Sequence, residues 1–233
     1  MNLREIQKKL GNTFSLIELA KFKNEKKEYL SKYISEQISA NKISKIRSGW
    51  FTFLDDYSKY LIACTYKKSY ITLQSALEFY GYSTQRYITL ELCSYIKKKN
   101  KTINGYNIQF LTTTKKKFFG FKKEKYQGND FLIADKEKLL IDCLTNQDKL
   151  TFGEFKSFIA QEKFDKDKIE SYAKRINSKA LNKRLGYILE LQGFKNIDLE
   201  INNKYEKLNL QKSITDQKNT KWKLYVNEEI KDE

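Results

Sequence analysis

The sequence contains no histidine and no proline, one methionine and two tryptophans, and only five of its 45 basic residues are arginine. Without histidine the chain lacks the commonest general acid or base and the commonest metal ligand. It also lacks the Ser-His and Cys-His routes to an activated nucleophile. Carboxylate and lysine chemistry stay open, but the balance moves away from an enzyme, and no cofactor or metal is expected. Three cysteines, Cys64, Cys93 and Cys143, are widely spaced and form no C-x-x-C pair, which predicts buried, reduced thiols of a cytoplasmic protein rather than a zinc site. No apolar run approaches the roughly 18–20 residues that cross a bilayer. The opening MNLREIQKKL has neither the apolar stretch nor the small-residue cleavage site of a secretory signal. The expectation is a cytoplasmic protein with no membrane partner. Neither a G-x-x-x-x-G-K-[ST] loop nor a G-x-G-x-x-G turn is present.

What is present is aromatic and basic. Of 233 residues, 40% are apolar and 14% aromatic, enough for a packed core and unlike a disordered chain. The length allows a small domain followed by a medium one. The net charge of +16 points to a polyanionic partner. A codon bias toward lysine can inflate that total, so its clustering carries more weight. Residues 1–60 hold +5, 61–96 hold +1, 97–125 hold +9 and 126–233 hold +1. The excess thus has an N-terminal and a central focus.

Periodicity divides the first 53 residues into three helices and a β-turn unit. Leu3, Ile6 and Leu10 recur at helical spacing and Gly11 ends that segment. Ser15-Leu16-Ile17-Glu18 reads as a capping box. Asn24 is expected to cap a third helix from Glu25 to about Ala40, with Leu30, Ile34 and Ile38 inward. Residues 43–53 then alternate in two halves that meet at Arg47-Ser48-Gly49, a hairpin tip. Helix, helix, helix, basic hairpin is the order of a winged helix-turn-helix. From Asp55-Asp56 the pattern becomes mixed. Helices are predicted over 57–66, 73–80 (capped by Thr72 and closed at Gly81), 136–144 (capped by Asp135), 152–161, 166–177 and 179–192, the last stopped by Gly193. Strands are predicted at 70–71, 87–92, 106–112, 131–134, 196–201 and 222–227.

The strongest functional signal is the third helix with its hairpin. A recognition helix needs one apolar face against its partners and one polar face toward the major groove. Lys26, Lys27, Ser31, Lys32 and Ser35 are the predicted groove-facing residues, with Glu28 among them. Lys42, Lys45, Arg47 and Ser48 are predicted to meet phosphates from the hairpin. The plainer alternative is a solvated face on a module that contacts proteins. The central focus offers Lys97, Lys98 and Lys99, then Lys115, Lys116 and Lys117, then Lys122 and Lys123, as a secondary basic surface. Phe118, Phe119 and Phe121 among them suit base stacking, although a core role for the rings is favoured. The close carboxylate pairs, Asp55-Asp56, Asp165 with Asp167 and Asp198 with Glu200, do not sit in a nuclease pattern. Glu25-Lys26-Lys27 matches Glu-x-Lys in a chain where lysine makes such matches cheap. No catalytic residue is assigned.

Several stretches together resemble the AbiEi family, antitoxins and transcriptional regulators of type IV toxin–antitoxin systems. They are Phe14-Ser15-Leu16-Ile17-Glu18-Leu19-Ala20 with Ile46-Arg47-Ser48-Gly49-Trp50-Phe51, then Ser69-Tyr70-Ile71-Thr72-Leu73-Gln74-Ser75-Ala76-Leu77-Glu78-Phe79-Tyr80-Gly81, then Phe118-Phe119-Gly120, the 133–142 block and Arg184-Leu185-Gly186-Tyr187-Ile188-Leu189-Glu190. The resemblance spans roughly residues 10–195. It implies a winged helix that binds operator repeats in double-stranded DNA and represses its own operon. It also implies a C-terminal domain that counteracts a nucleotidyltransferase-like toxin without a stable complex.

The expected architecture is therefore α+β, with a winged helix-turn-helix over 1–55 and a mixed α/β domain over 56–233. The expected function is a DNA-binding autorepressor and antitoxin. Two other classes stay open: a metal-dependent nucleic-acid enzyme delivered by its winged helix, and a protein-interaction module.

Overall fold

A computed structural model describes residues 2–53, 57–83 and 85–230. The fold is α+β, with helices and several separate sheets. Two compact units divide the chain. The first joins Met1–Ile71, Ile88–Thr112 and Lys122–Ile133; the second joins Thr72–Tyr87, Thr113–Phe121 and Ala134–Glu233. The boundary expected at residues 55 and 56 falls outside the described residues. The first unit groups the N-terminal segment with segments much later in the chain.

The first unit begins with α1 (Leu3–Leu10), β1 (Thr13–Ser15), α2 (Leu16–Lys23), α3 (Lys27–Ser39), β2 (Ser44–Arg47) and β3 (Trp50–Thr52). The strands form an antiparallel sheet in the order β1-β3-β2. Ser15 ends β1 and starts α2 through the predicted capping box. Its hydroxyl accepts from the Glu18 amide at 3.1 Å, and the Glu18 carboxylate accepts from the Ser15 amide at 2.8 Å. Ile6, Phe14, Leu19, Leu30, Ile34, Ile43 and Phe51 are buried together as one core. Phe14 stands at its centre, its ring 5.9 Å from Phe51 and 5.2 Å from Phe53.

Asn24 does not cap α3. It closes α2 in the left-handed conformation (φ 52°), which asparagine tolerates better than most residues, and α3 starts two residues later than expected, behind Lys26. The strand β1 was not predicted; three residues between a helix stop and a capping box are too short to carry a period.

The same unit contains α4 (Lys59–Cys64), β4 (Tyr70–Ile71), β5 (Thr89–Ser94), β6 (Lys101–Ile103), β7 (Tyr106–Thr112), β8 (Phe121–Tyr126) and β9 (Asn129–Ala134), the last two each overlapping the second unit by one residue. These six strands form a mixed sheet in the order β6-β7-β5-β4-β9-β8. β4 runs parallel to β9 and β5 parallel to β7, while β4–β5 and β6–β7 are antiparallel. The side chain of Asn129 ties the N-terminal segment to this sheet. Its carbonyl accepts from the Thr13 amide at 2.9 Å, and its amide donates to the carbonyls of Leu10 and Thr13. Gly11 (φ 83°) leaves the room this requires, because a Cβ there would lie 2.9 Å from the Asn129 amide nitrogen.

The second unit holds α5 (Leu73–Phe79), a 3-10 turn at Lys115–Lys117, α6 (Lys136–Thr145), a second 3-10 turn at Gln147–Lys149, α7 (Phe152–Gln161), α8 (Lys166–Ile176) and α9 (Lys179–Leu191). A small sheet follows, with β10 (Glu206–Lys207) parallel and β11 (Lys218–Asn219) antiparallel to a central β12 (Leu224–Tyr225). Asp135 caps α6 as expected, accepting from the Lys138 amide. Thr72 occupies the position before α5 but makes no side-chain cap there; its hydroxyl donates to Asp142 at 2.8 Å. The strand expected at 196–201 is absent, and 222–227 contributes only two strand residues. No helix among the described residues is long and apolar enough to cross a membrane.

Candidate nucleic-acid interface

Two faces of α3 set the geometry of the candidate interface. Leu30 and Ile34 are fully inside, and Tyr33, Gln37 and Ile38 are half-buried beside them. Lys26, Lys27, Glu28, Tyr29, Ser31, Lys32, Ser35, Glu36 and Ser39 are exposed. Each predicted α3 residue therefore lies on the solvent side. That side is not uniformly basic, because Glu28 and Glu36 share it with Lys32. Ser35 Oγ donates to the Ser31 carbonyl and Ser39 Oγ to the Ser35 carbonyl, so these hydroxyls offer a lone pair outward rather than a proton. Tyr29, 60% exposed, was not singled out from the sequence. An aromatic one position off the lysine stripe carries no signal until the helix is oriented.

The hairpin forms where predicted. Arg47 pairs with Trp50 across a two-residue turn, Ser48-Gly49, with Gly49 at φ 71°. Lys42, Lys45 and Ser48 are exposed. Arg47 points elsewhere than expected. Its Nε donates to Thr65 Oγ1 at 2.9 Å and its Nη2 donates to the Thr65 carbonyl. Its guanidinium lies 4.7 Å from the Tyr66 ring centre and 5.4 Å from that of Trp50. Burial pulls its pKa below the usual arginine range. A planar fork surrounded by a carbonyl and two rings is better satisfied against α4 than extended into water.

No protein-family model matches this chain, and no curated protein matches it.

The central basic focus is divided between the two compact units. Lys97 and Lys99 are exposed in the first unit, and Lys98 is half-buried there with its Nζ donating to Ser69 Oγ at 2.7 Å. Lys122 and Lys123 stand on β8 and are ion-paired, with Glu124 at 2.8 Å and Asp130 at 2.5 Å. Lys115, Lys116 and Lys117 belong to the second unit, on the 3-10 turn, where Arg175 Nε donates to the Lys116 carbonyl. Phe119 is buried there, with the Arg175 guanidinium 4.1 Å from its ring centre and Tyr172 packed edge-on, so it is a core residue. Phe118 and Phe121 pack on each other at 4.8 Å and are half-buried.

The carboxylate pairs have structural partners. Asp165 caps α8, Asp198 pairs with Lys174 at 2.6 Å, and Glu200 pairs with Lys179. The pair Asp55-Asp56 lies outside the described residues. Among the described residues no three His, Cys, Asp or Glu side chains gather as metal ligands would.

Proposed function

We propose that the protein is a transcriptional regulator that binds double-stranded DNA through a winged helix-turn-helix formed by residues 3–53. The observation that carries this reading is the two-faced α3. Its apolar stripe is sealed against α1, α2 and β3, so that Lys26, Lys27, Ser31, Lys32 and Ser35 are all available to a groove. A β-hairpin follows directly, with Lys45 exposed on its first strand and Lys42 exposed just before it. A helix presented this way beside a β-hairpin has the form that reads a major groove while the hairpin meets the backbone. The motif resemblance to AbiEi proteins supports the finer reading: a cytoplasmic autorepressor that also counteracts a nucleotidyltransferase-like toxin without a stable complex. A reading frame of that toxin type beside the gene is the observation to seek.

The deciding experiment is fluorescence anisotropy on duplex DNA from upstream of the gene, with the double variant Lys27→Glu/Lys32→Glu. Both lysines are exposed, so folding, followed by circular dichroism, should not change. Affinity should fall at least about tenfold as two cationic contacts become repulsive. Unchanged affinity would reject this orientation of the helix. One observation favours a protein partner instead: Tyr29, Glu28 and Glu36 give the same face an aromatic and two acids. In that case the wild type binds duplex only weakly, with no preference for the upstream sequence.

A further inference from the structure

Three cations lie against one tyrosine ring in the first unit. The Arg47 guanidinium is 4.7 Å, Lys98 Nζ 5.3 Å and Lys101 Nζ 5.5 Å from the centre of Tyr66. Phe110 closes one side, edge-on to Tyr66 at 5.2 Å and itself 5.3 Å from Lys98 Nζ. The strand register explains the convergence. Lys101 on β6 pairs with Ile108 on β7, and Phe110 lies two residues on, so Lys101 and Phe110 share a face of the sheet. Glu91, opposite Gln109 on β5, alternates to the other face.

Among the described residues no carboxylate forms an ion pair with Arg47, Lys68, Lys98 or Lys101. Burial lowers the Lys98 pKa, and the charges of Arg47, Lys101 and Lys68 lower it further, with no acid acting in the opposite sense. Lys138 and Lys168 are paired, with Asp142 and Glu137, while the buried Lys59 and Lys183 donate to carbonyl oxygens. A second feature is independent of charge. The Tyr66 residue is only 6% exposed, and its hydroxyl is buried without a hydrogen-bond partner among the described residues. A buried hydroxyl left unmade costs free energy unless a ligand supplies the bond.

The geometry points to an oxyanion site, in which a phosphate group is held by Arg47, Lys98 and Lys101 over Tyr66. Arg47 uses Nε and one Nη2 proton on Thr65 and keeps further N–H donors. Lys98 uses one donor on Ser69, and its other two stay available. An anionic phosphate satisfies such donors and offsets the mutual repulsion that holds the site at a disadvantage when empty. The phosphate has two possible sources: the backbone of a duplex already engaged by the neighbouring hairpin, or a free phosphorylated small molecule. The first rests on the proposed DNA binding; the second does not.

The test uses the full chain, its Lys98→Gln/Lys101→Gln variant and its Tyr66→Phe variant. Melting temperature is measured against inorganic phosphate at constant ionic strength set by chloride. A saturable rise in the wild type, lost in the double variant and weakened in Tyr66→Phe, is the expected result. If phosphate stabilises the wild type no more than chloride does, or if both variants respond as the wild type does, the site is refuted. Tyr66→Phe keeps the packing and decides the matter should the double variant not fold. Duplex affinity then assigns the source. A fall of about tenfold in the double variant at low salt identifies a backbone phosphate, and unchanged affinity identifies a free phosphorylated ligand. A wild type that binds no duplex rejects the DNA reading and leaves the phosphate measurement to judge the site.

Discussion

Gly186 sits inside α9, where glycine normally costs a helix about 0.5–1 kcal/mol relative to alanine. Its use here follows from Trp222. A Cβ at position 186 would overlap the indole ring. Trp222 is 4% exposed; its backbone amide donates to Asn219 Oδ1 at 2.8 Å, and its indole Nε1 donates to Glu190 Oε2 at 2.6 Å. The indole therefore has little freedom to swing aside. Overpacking of this kind costs about 1–3 kcal/mol, which outweighs the gain in helix propensity. Gly186→Ala should lower stability in urea titration by roughly 1–2 kcal/mol; a stabilised variant would mean that the tryptophan repacks readily. The partnership of Gly186 with Trp222 spans 36 positions and has no trace in the linear pattern, although the Arg184–Glu190 block itself stood out.

At the scale of elements, what could be read ahead was whatever has local chemistry. The box Ser15–Glu18, the Asp135 cap, the Gly49 turn and the Gly193 stop all depend on side chains or φ angles within four residues, and all are present. Ser15 does two jobs, accepting from the Glu18 amide and donating to its carboxylate at 2.8 Å. Replacing it with alanine should cost about 1 kcal/mol and raise hydrogen exchange at the first amides of α2. Unaltered exchange there would show that the sheet register alone holds the helix start. What could not be read ahead depends on distant partners. Strands of two or three residues, such as β1, β6, β10 and β11, form because a neighbouring strand offers hydrogen bonds, and they carry no period. Arg47 was legible as part of a hairpin tip but not in its direction, because Thr65 and Tyr66 capture it from 18 and 19 residues away. Lys98 and Lys101 looked like part of a lysine run, and only the sheet register brings them to the same ring as Arg47.

For the whole molecule, a net charge of +16 predicts attraction to any polyanion, so affinity by itself says little about specific recognition. The dependence on salt is more informative, because it counts phosphates neutralised. If α3 and the hairpin alone touch a duplex, the available cations are Lys26, Lys27, Lys32, Lys42 and Lys45, all exposed. Five such contacts give a slope of about −4.5 in log affinity against log salt. Lys115, Lys116 and Lys117 belong to the other compact unit. Their replacement by glutamine should leave the slope within about 0.5 of the parent, whereas Lys42→Gln/Lys45→Gln should reduce its magnitude by about 2. A parent slope near −8, with the loss falling on residues 115–117 instead, would transfer the interface to the central lysines. The helix and hairpin would then be a scaffold for something other than DNA.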